Sequence, residues 1–446
     1  MTDVDILLLC RWVIPVVPHG LVLENHAIVV DGGTIVAVLP AVEAAARYRG
    51  RETVRLDHHA LTPGFVNAHT HAAMTLLRGV GDDLPLMRWL TERIWPLEKA
   101  LVSPEFVYDG GRLAAVEMLR SGTTCASDMY FYPDASARAL RAVGMRAVAG
   151  IIAIEFPTSY AADAEDYLRK GLAARDELRN DPLVSFTLAP HAPYTVSDAT
   201  LQRIAMLADE LDLPIHTHVH ETDDEIRQSM AEHGCRPLAR LDRLGLVSER
   251  LVAVHGVHLD DSELRLLAER GASIAHCPAS NLKLGSGIAP VARAAAEGVN
   301  LALGTDGAAS NNRMDMLSEL RLAALLAKGA SADASVLPAP AVLEAATLGG
   351  ARALGLQDRI GSIEAGKAAD LVAFDLAPPE TQPLYDVISH IVYSAGREQV
   401  SDVWVAGNRV VEARHVLLAS AQPDLMPKVA AWQNRCRQVL LTPGAS

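Results

Sequence analysis

The stretch Leu61-Thr-Pro-Gly-Phe-Val-Asn-Ala-His-Thr-His71 decides how the chain is read. An apolar, strand-like run follows Pro63-Gly64 and ends on two histidines one residue apart. Side chains along a strand alternate faces with a period of two. His69 and His71 therefore point the same way, and two same-side imidazoles at a strand end can hold one metal ion. An isolated pair of this kind is more often structural, so the rest of the chain must decide.

Working outward, strand and helix patterns alternate from about residue 61. Strands are predicted at Gly64–His69, Thr123–Asp128, Arg146–Ile154, Val184–Ala189, Pro214–His218, Leu251–His255, Ser273–His276 and Asn300–Gly304. Amphipathic helical stretches lie between them, among them Phe106–Ser121, Ala161–Leu178, Asp198–Leu211 and Asp223–His233. This rhythm predicts an α/β fold, a closed (β/α)8 TIM-like barrel over residues 61–360. An open doubly wound sheet is the alternative, but no Gly-x-Gly-x-x-Gly follows an early strand. Short strands at Ile6–Leu9, Ala27–Val30 and Thr34–Val38 precede the barrel. Others at Ala369–Phe374, His390–Tyr393, Val403–Ala406 and Arg409–Val411 follow it. Residues 1–60 and 361–420 are expected to form one small β-sandwich domain from both chain ends, and residues 421–446 a C-terminal helical tail.

The totals limit the function classes. The chain has 446 residues, 50% hydrophobic and 21% charged, the composition of a globular protein. A net charge of −14, with no dense basic run, speaks against a nucleic-acid partner. Five scattered cysteines, never in Cys-x-x-Cys, fit a reducing cytoplasm better than a disulfide framework. No signal-like or membrane-spanning run is evident.

Barrel chemistry sits at the C-terminal ends of the strands. The predicted strand ends carry His69 and His71, Asp128, His191, His218 with Glu221, His255, His276 and Asp306. Packing alone does not explain titratable groups at nearly every exit. His69, His71, a histidine of the fifth strand and Asp306 would give three nitrogens and an oxygen, a set that suits zinc, with iron next. Within Ile215-His-Thr-His-Val-His-Glu221 periodicity does not choose among His216, His218 and His220. Two-metal barrels often bridge their ions with a carbamylated lysine at a mid-barrel strand end. Here the fourth strand ends near His191, so one metal per subunit is expected.

These residues resemble the amidohydrolase superfamily along nearly the whole chain. The marks are Pro63–His71, Thr305-Asp-Gly307 and Gly361-Ser-Ile-Glu-Ala-Gly-Lys-Ala-Ala-Asp-Leu-Val372. Pro278-Ala-Ser-Asn-Leu-Lys-Leu-Gly-Ser-Gly287 and Ser310-Asn-Asn312 are similar to the branch of methylthioadenosine/S-adenosylhomocysteine deaminases and triazine hydrolases. The resemblance implies His218, three residues before Glu221, as the third ligand. It implies His255 as a proton-shuttling base beside Asp306, and Glu221 as the acid that protonates the ring. It places Trp89, Glu98 and His191 on the substrate, with Glu98 at the ribose hydroxyls; Arg146 and Ser310 are further substrate-side candidates. The implied reaction is deamination of an adenine nucleoside: 5′-methylthioadenosine, S-adenosylhomocysteine or adenosine. Deamination or dechlorination of another heterocycle (guanine, a triazine) is the alternative, and a non-catalytic structural barrel a more distant one. The expected partner is a small-molecule nucleoside, with no membrane, and a homo-oligomer is compatible with the sequence.

Overall fold

The computed structural model describes residues 1–417 and 423–441. The boundary expected near residue 420 lies outside the described residues. The barrel strands are β5 (Phe65–Thr70), β6 (Thr123–Asp128), β7 (Arg146–Ala153), β8 (Val184–Pro190), β9 (Ile215–Val219), β10 (Leu251–His255), β11 (Ser273–His276) and β12 (Asn300–Leu303). They pair in parallel in sequence order. The expected strands are therefore found within a few residues of their predicted ends. They are almost wholly buried and rich in Val, Ile, Leu and Ala, as strands covered on both faces must be.

Closure depends on the motif first quoted. The Asp306 amide donates to the His69 carbonyl (3.0 Å), and the Thr305 amide to Asn67 Oδ1 (3.0 Å). Asn67 Nδ2 returns a bond to Thr305 Oγ1 (2.8 Å). The backbones approach so closely that a Cβ on Gly304 would lie 2.9 Å from His69 Cβ and 3.0 Å from Cys277 Sγ. Glycine is required there because a methyl group would push the last strand off the first.

Both chain ends supply the second sheet. Its strands are β1 (Thr2–Val13), β2 (Leu23–Asp31), β3 (Thr34–Pro40) and β4 (Tyr48–Pro63), then β13 (Leu371–Asp375), β14 (Val400–Val405), β15 (Asn408–Glu412) and β16 (His415–Val416). They hydrogen-bond in one eight-strand series, with β4 and β13 joining the two chain ends. One expectation is overturned here. His390–Tyr393, read as a strand, belongs to the helix Val387–Tyr393. Val387, Ile388, Ile391 and Val392 form its buried stripe, and the Asp386 side chain caps it by accepting from the Ser389 amide. A four-residue window hid that period. The tail helix spans Leu425–Leu441 and docks through Trp432, whose indole N–H donates to buried Asp109 (3.0 Å).

Arg146 is the second correction. It is the first residue of β7, so it lies at the barrel end opposite the strand exits. Its guanidinium makes two 3.0 Å bonds to the Asp370 carboxylate, which also accepts from the Ala406 amide. Both partners are buried, and the pair fastens the barrel to the chain-end sheet. Breaking a buried pair from one side strands a charge and costs about 3–5 kcal/mol. Arg146→Ala and Asp370→Ala are each expected to lower the melting temperature markedly, and the double variant Arg146→Met/Asp370→Leu less than either. Calorimetry checks this; a single variant as stable as the parent would contradict it.

Candidate metal centre and active site

His69 on β5 and His216 and His218 on β9 belong to strands that are not neighbours. Their rings nevertheless meet, at centroid distances of 4.9 Å. They must therefore meet across the barrel interior. His71, one residue past β5, lies 4.8 Å ring to ring from His69. Asp306 Oδ1 lies 3.4 Å from His69 Nε2 and 3.3 Å from His71 Nε2.

The second nitrogen of each imidazole is tied down. His71 Nδ1 bonds the Met129 carbonyl (2.6 Å), and His218 Nδ1 bonds the His191 carbonyl (2.6 Å). A carbonyl only accepts, so both Nδ1 atoms carry the proton and each Nε2 of the neutral ring is a bare lone pair. Burial holds His69 down at about 4 and His218 well below the usual value, so both stay neutral. Yet His218 Nε2 and His69 Nε2 face each other at 3.2 Å. Two imidazole nitrogens at that distance, with a carboxylate oxygen beside them, fit a cation held between them. Two overlapping sets, His69/His71/Asp306 and His69/His218/His255, have donor atoms within 4.8 Å of one another. Burial opposes ionisation of Asp306, but the neighbouring imidazoles keep its carboxyl well below the ordinary range. Its other oxygen accepts from Ser280 Oγ (2.6 Å) and Ser310 Oγ (2.8 Å). Ser310, expected at the substrate, thus spends its hydroxyl orienting Asp306.

The three histidines left open by strand parity separate here. His216 Nε2 backs His69 Nδ1 at 3.0 Å, the orienting contact that ligating histidines usually receive. His220 adopts a left-handed φ of 57°, which turns its ring out of the alternation. There it accepts from the Leu238 amide (3.1 Å) and abuts Arg236 and Glu263.

Two further strand-exit residues have left-handed backbones, His255 (φ 71°) and Asp306 (φ 59°). Such conformations are costly for branched side chains and cluster at functional sites. His255 Nδ1 pairs with Asn281 Oδ1 (2.8 Å), which fixes the tautomer and leaves Nε2 bare. That nitrogen lies 3.7 Å from Glu221 Oε2. Burial raises Glu221 above the ordinary carboxylate range. Glu225 accepts from the amides of His220 and Glu221 (3.0 and 2.9 Å), locking the turn that presents Glu221.

Around this centre, His191 packs 4.9 Å ring to ring from His218, and burial lowers it to about 3. Glu98 is pushed up to about 7 by burial and accepts from Tyr130 Oη (2.7 Å). Trp89 is buried, with its indole N–H on the Val80 carbonyl, in one apolar cluster with Met74, Leu97 and Tyr130. Asp128 binds the Ala72 amide and Thr70 Oγ1, so it holds the backbone beyond His71. Arg146 is not brought to this site. Asn281 and Ser280 were within a quoted motif but carried no assigned role; Tyr130 had no signal beyond its place after a strand end.

Two outcomes follow from this geometry. His216→Ala is expected to weaken metal affinity about 10–100-fold, measured by competition with a chromophoric chelator; unchanged affinity would contradict the orienting role. Glu319 joins the Ala279 amide (3.1 Å) to Asn311 Nδ2 (2.8 Å), and burial pushes it up to about 8. Its folded value exceeds its unfolded one, so its contribution is full at low pH and is lost as pH rises through about 8. Glu319→Gln should flatten the fall in melting temperature between about pH 5 and pH 9; an unchanged slope would contradict this.

Residues 60–410 match the amidohydrolase family. A 5-methylthioadenosine/S-adenosylhomocysteine deaminase of Teredinibacter turnerae is 44% identical over 434 residues, 97% of this chain and 98% of that one. The crystal structure of an adenosine deaminase from Xanthomonas campestris with bound zinc is 52% identical, covers 98% of this chain and 99% of that one, and superposes with a TM-score of 0.96. A mutant atrazine chlorohydrolase from Arthrobacter aurescens, complexed with zinc and atraton, is 25% identical over 96% of this chain and all of its own, with a TM-score of 0.88.

Proposed function

Since the chain belongs to the amidohydrolase family, we propose that it is a metal-dependent deaminase of adenine nucleosides, acting on 5′-methylthioadenosine, S-adenosylhomocysteine or adenosine to give the inosine analogue and ammonia. The observation that carries this reading is the pair of imidazole Nε2 atoms opposed at 3.2 Å beside Asp306, with His255 and Glu221 in reach. Identities of 44% and 52% to proteins named as nucleoside deaminases support adenine nucleosides over a triazine, where identity is 25%.

His69, His71, His218 and Asp306 would hold the ion, zinc first among candidates. When bound, such an ion lowers the pKa of a water toward 7 and supplies hydroxide at neutral pH. The chain's own groups do the rest. Asp306 stays ionised, and a neutral His255 with Nδ1 on Asn281 would offer Nε2 as an acceptor, so either can take the proton of the attacking water. Glu221 is raised by burial, and its protonated carboxyl would donate to the purine nitrogen beside the amine-bearing carbon, so negative charge does not accumulate there. His191 would contact the purine, Glu98 the ribose hydroxyls and Trp89 the pocket wall.

Glu221→Gln is expected to keep its metal but to lose about 10²-fold or more in kcat. Asp306→Asn should damage both. Elemental analysis with ammonia release on a panel of nucleosides, guanine and chlorotriazines reads all of this. Full turnover in Glu221→Gln would sink the assigned role, and chloride or guanine turnover exceeding that of every adenine nucleoside would sink the substrate class.

A further inference from the structure

Met129 and Tyr130 make one two-residue step off the end of β6. The Met129 amide donates to the Thr70 carbonyl (3.0 Å), and its carbonyl receives His71 Nδ1 (2.6 Å). The next residue crosses to a different element. Tyr130 Oη donates to Glu98 Oε1 at 2.7 Å, and Glu98 stands on the helix Trp95–Leu101. The Tyr130 ring sits edge-on to His71, with centroids 6.3 Å apart, and is buried in the apolar cluster that holds Trp89 and Leu97. One side chain therefore ties the Glu98 helix to the segment that orients a candidate metal ligand.

The contact also limits what each group can do. Tyr130 has one proton and gives it to Glu98, so it has none left for a ligand. Among the described residues no other hydrogen bond reaches the Glu98 carboxyl, so Oε2 keeps its acceptor capacity. A glutamate side chain held by one oxygen loses rotamer freedom before any ligand arrives, and that cost no longer falls on binding.

We propose that Tyr130 is a positioning residue that fixes the Glu98 carboxyl so that its second oxygen meets the vicinal hydroxyls of the ribose. The inference rests on the reading of Glu98 as the ribose contact. It assigns nucleoside-over-base discrimination to a tyrosine hydroxyl that touches neither the metal nor the purine.

The test compares kcat and KM of the zinc-loaded enzyme on adenosine and on 2′,3′-dideoxyadenosine, in the parent, Tyr130→Phe and Glu98→Gln. Phenylalanine preserves the ring packing and deletes only the hydroxyl. Tyr130→Phe should raise KM for adenosine about 10-fold with kcat and zinc content retained, and leave the dideoxy substrate nearly unchanged. In a Glu98→Gln background the same substitution should add little. Equal losses on both substrates would reduce Tyr130 to a packing residue and overturn the proposal, as would no change on either. If Glu98→Gln itself leaves the preference for adenosine intact, the ribose reading falls and takes this inference with it; if only Tyr130→Phe leaves it intact, the ribose reading stands and this inference alone is wrong.

Discussion

Two imidazole nitrogens, His69 Nε2 and His218 Nε2, face each other at 3.2 Å, with the Asp306 carboxylate beside them. Each ring is turned and held by its other nitrogen, through His216 in one case and the His191 carbonyl in the other. The fold supplies these holding groups from β9 and from the exit of β8, so the arrangement is a property of the closed barrel and not of any one segment. Closure in turn depends on the hydrogen bond from the Asp306 amide to the His69 carbonyl. The same residue pair closes the barrel and brings the carboxylate to the histidines. A cation in that space would take both nitrogens and the carboxylate oxygen as ligands, and folding has already met the cost of bringing them together.

Three left-handed residues stand where chemistry is expected. His220, His255 and Asp306 all take left-handed backbone conformations at or just past strand exits. Each turn changes where a side chain points: His220 away from the centre, His255 toward Glu221, Asp306 toward the paired histidines. Period-two reasoning stops being valid at such residues: His216, His218 and His220 share strand parity, and only the turn at His220 takes one of them away from the centre. Behind His220, the buried Glu225 carboxyl holds the turn through the backbone amides of His220 and Glu221.

Much of the architecture was legible because parallel barrel strands are short, apolar and regularly spaced, and because exits carry polar residues that packing does not need. His69, His71 and Asp306 could be named as a donor set from residue type and place, and the family resemblance added His218. What failed to read was long-range pairing. Arg146 looked like a substrate-side candidate, but its partner Asp370 lies 224 positions away. Ser310 looked like a substrate contact, yet its hydroxyl serves Asp306. The helix Val387–Tyr393 was lost because four apolar residues do not distinguish a period of two from one near four. Tyr130 and Asn281 act through single hydrogen bonds to distant residues, which leave no periodic trace.

The most direct measurement is a zinc titration of protein stripped by a chelator, following adenosine deamination by the ultraviolet shift and bound metal by elemental analysis. No turnover is expected without metal, then activity that rises linearly and stops at one equivalent per chain. Full activity in the stripped protein, or a break at two equivalents, would contradict a single metal held by His69, His71, His218 and Asp306.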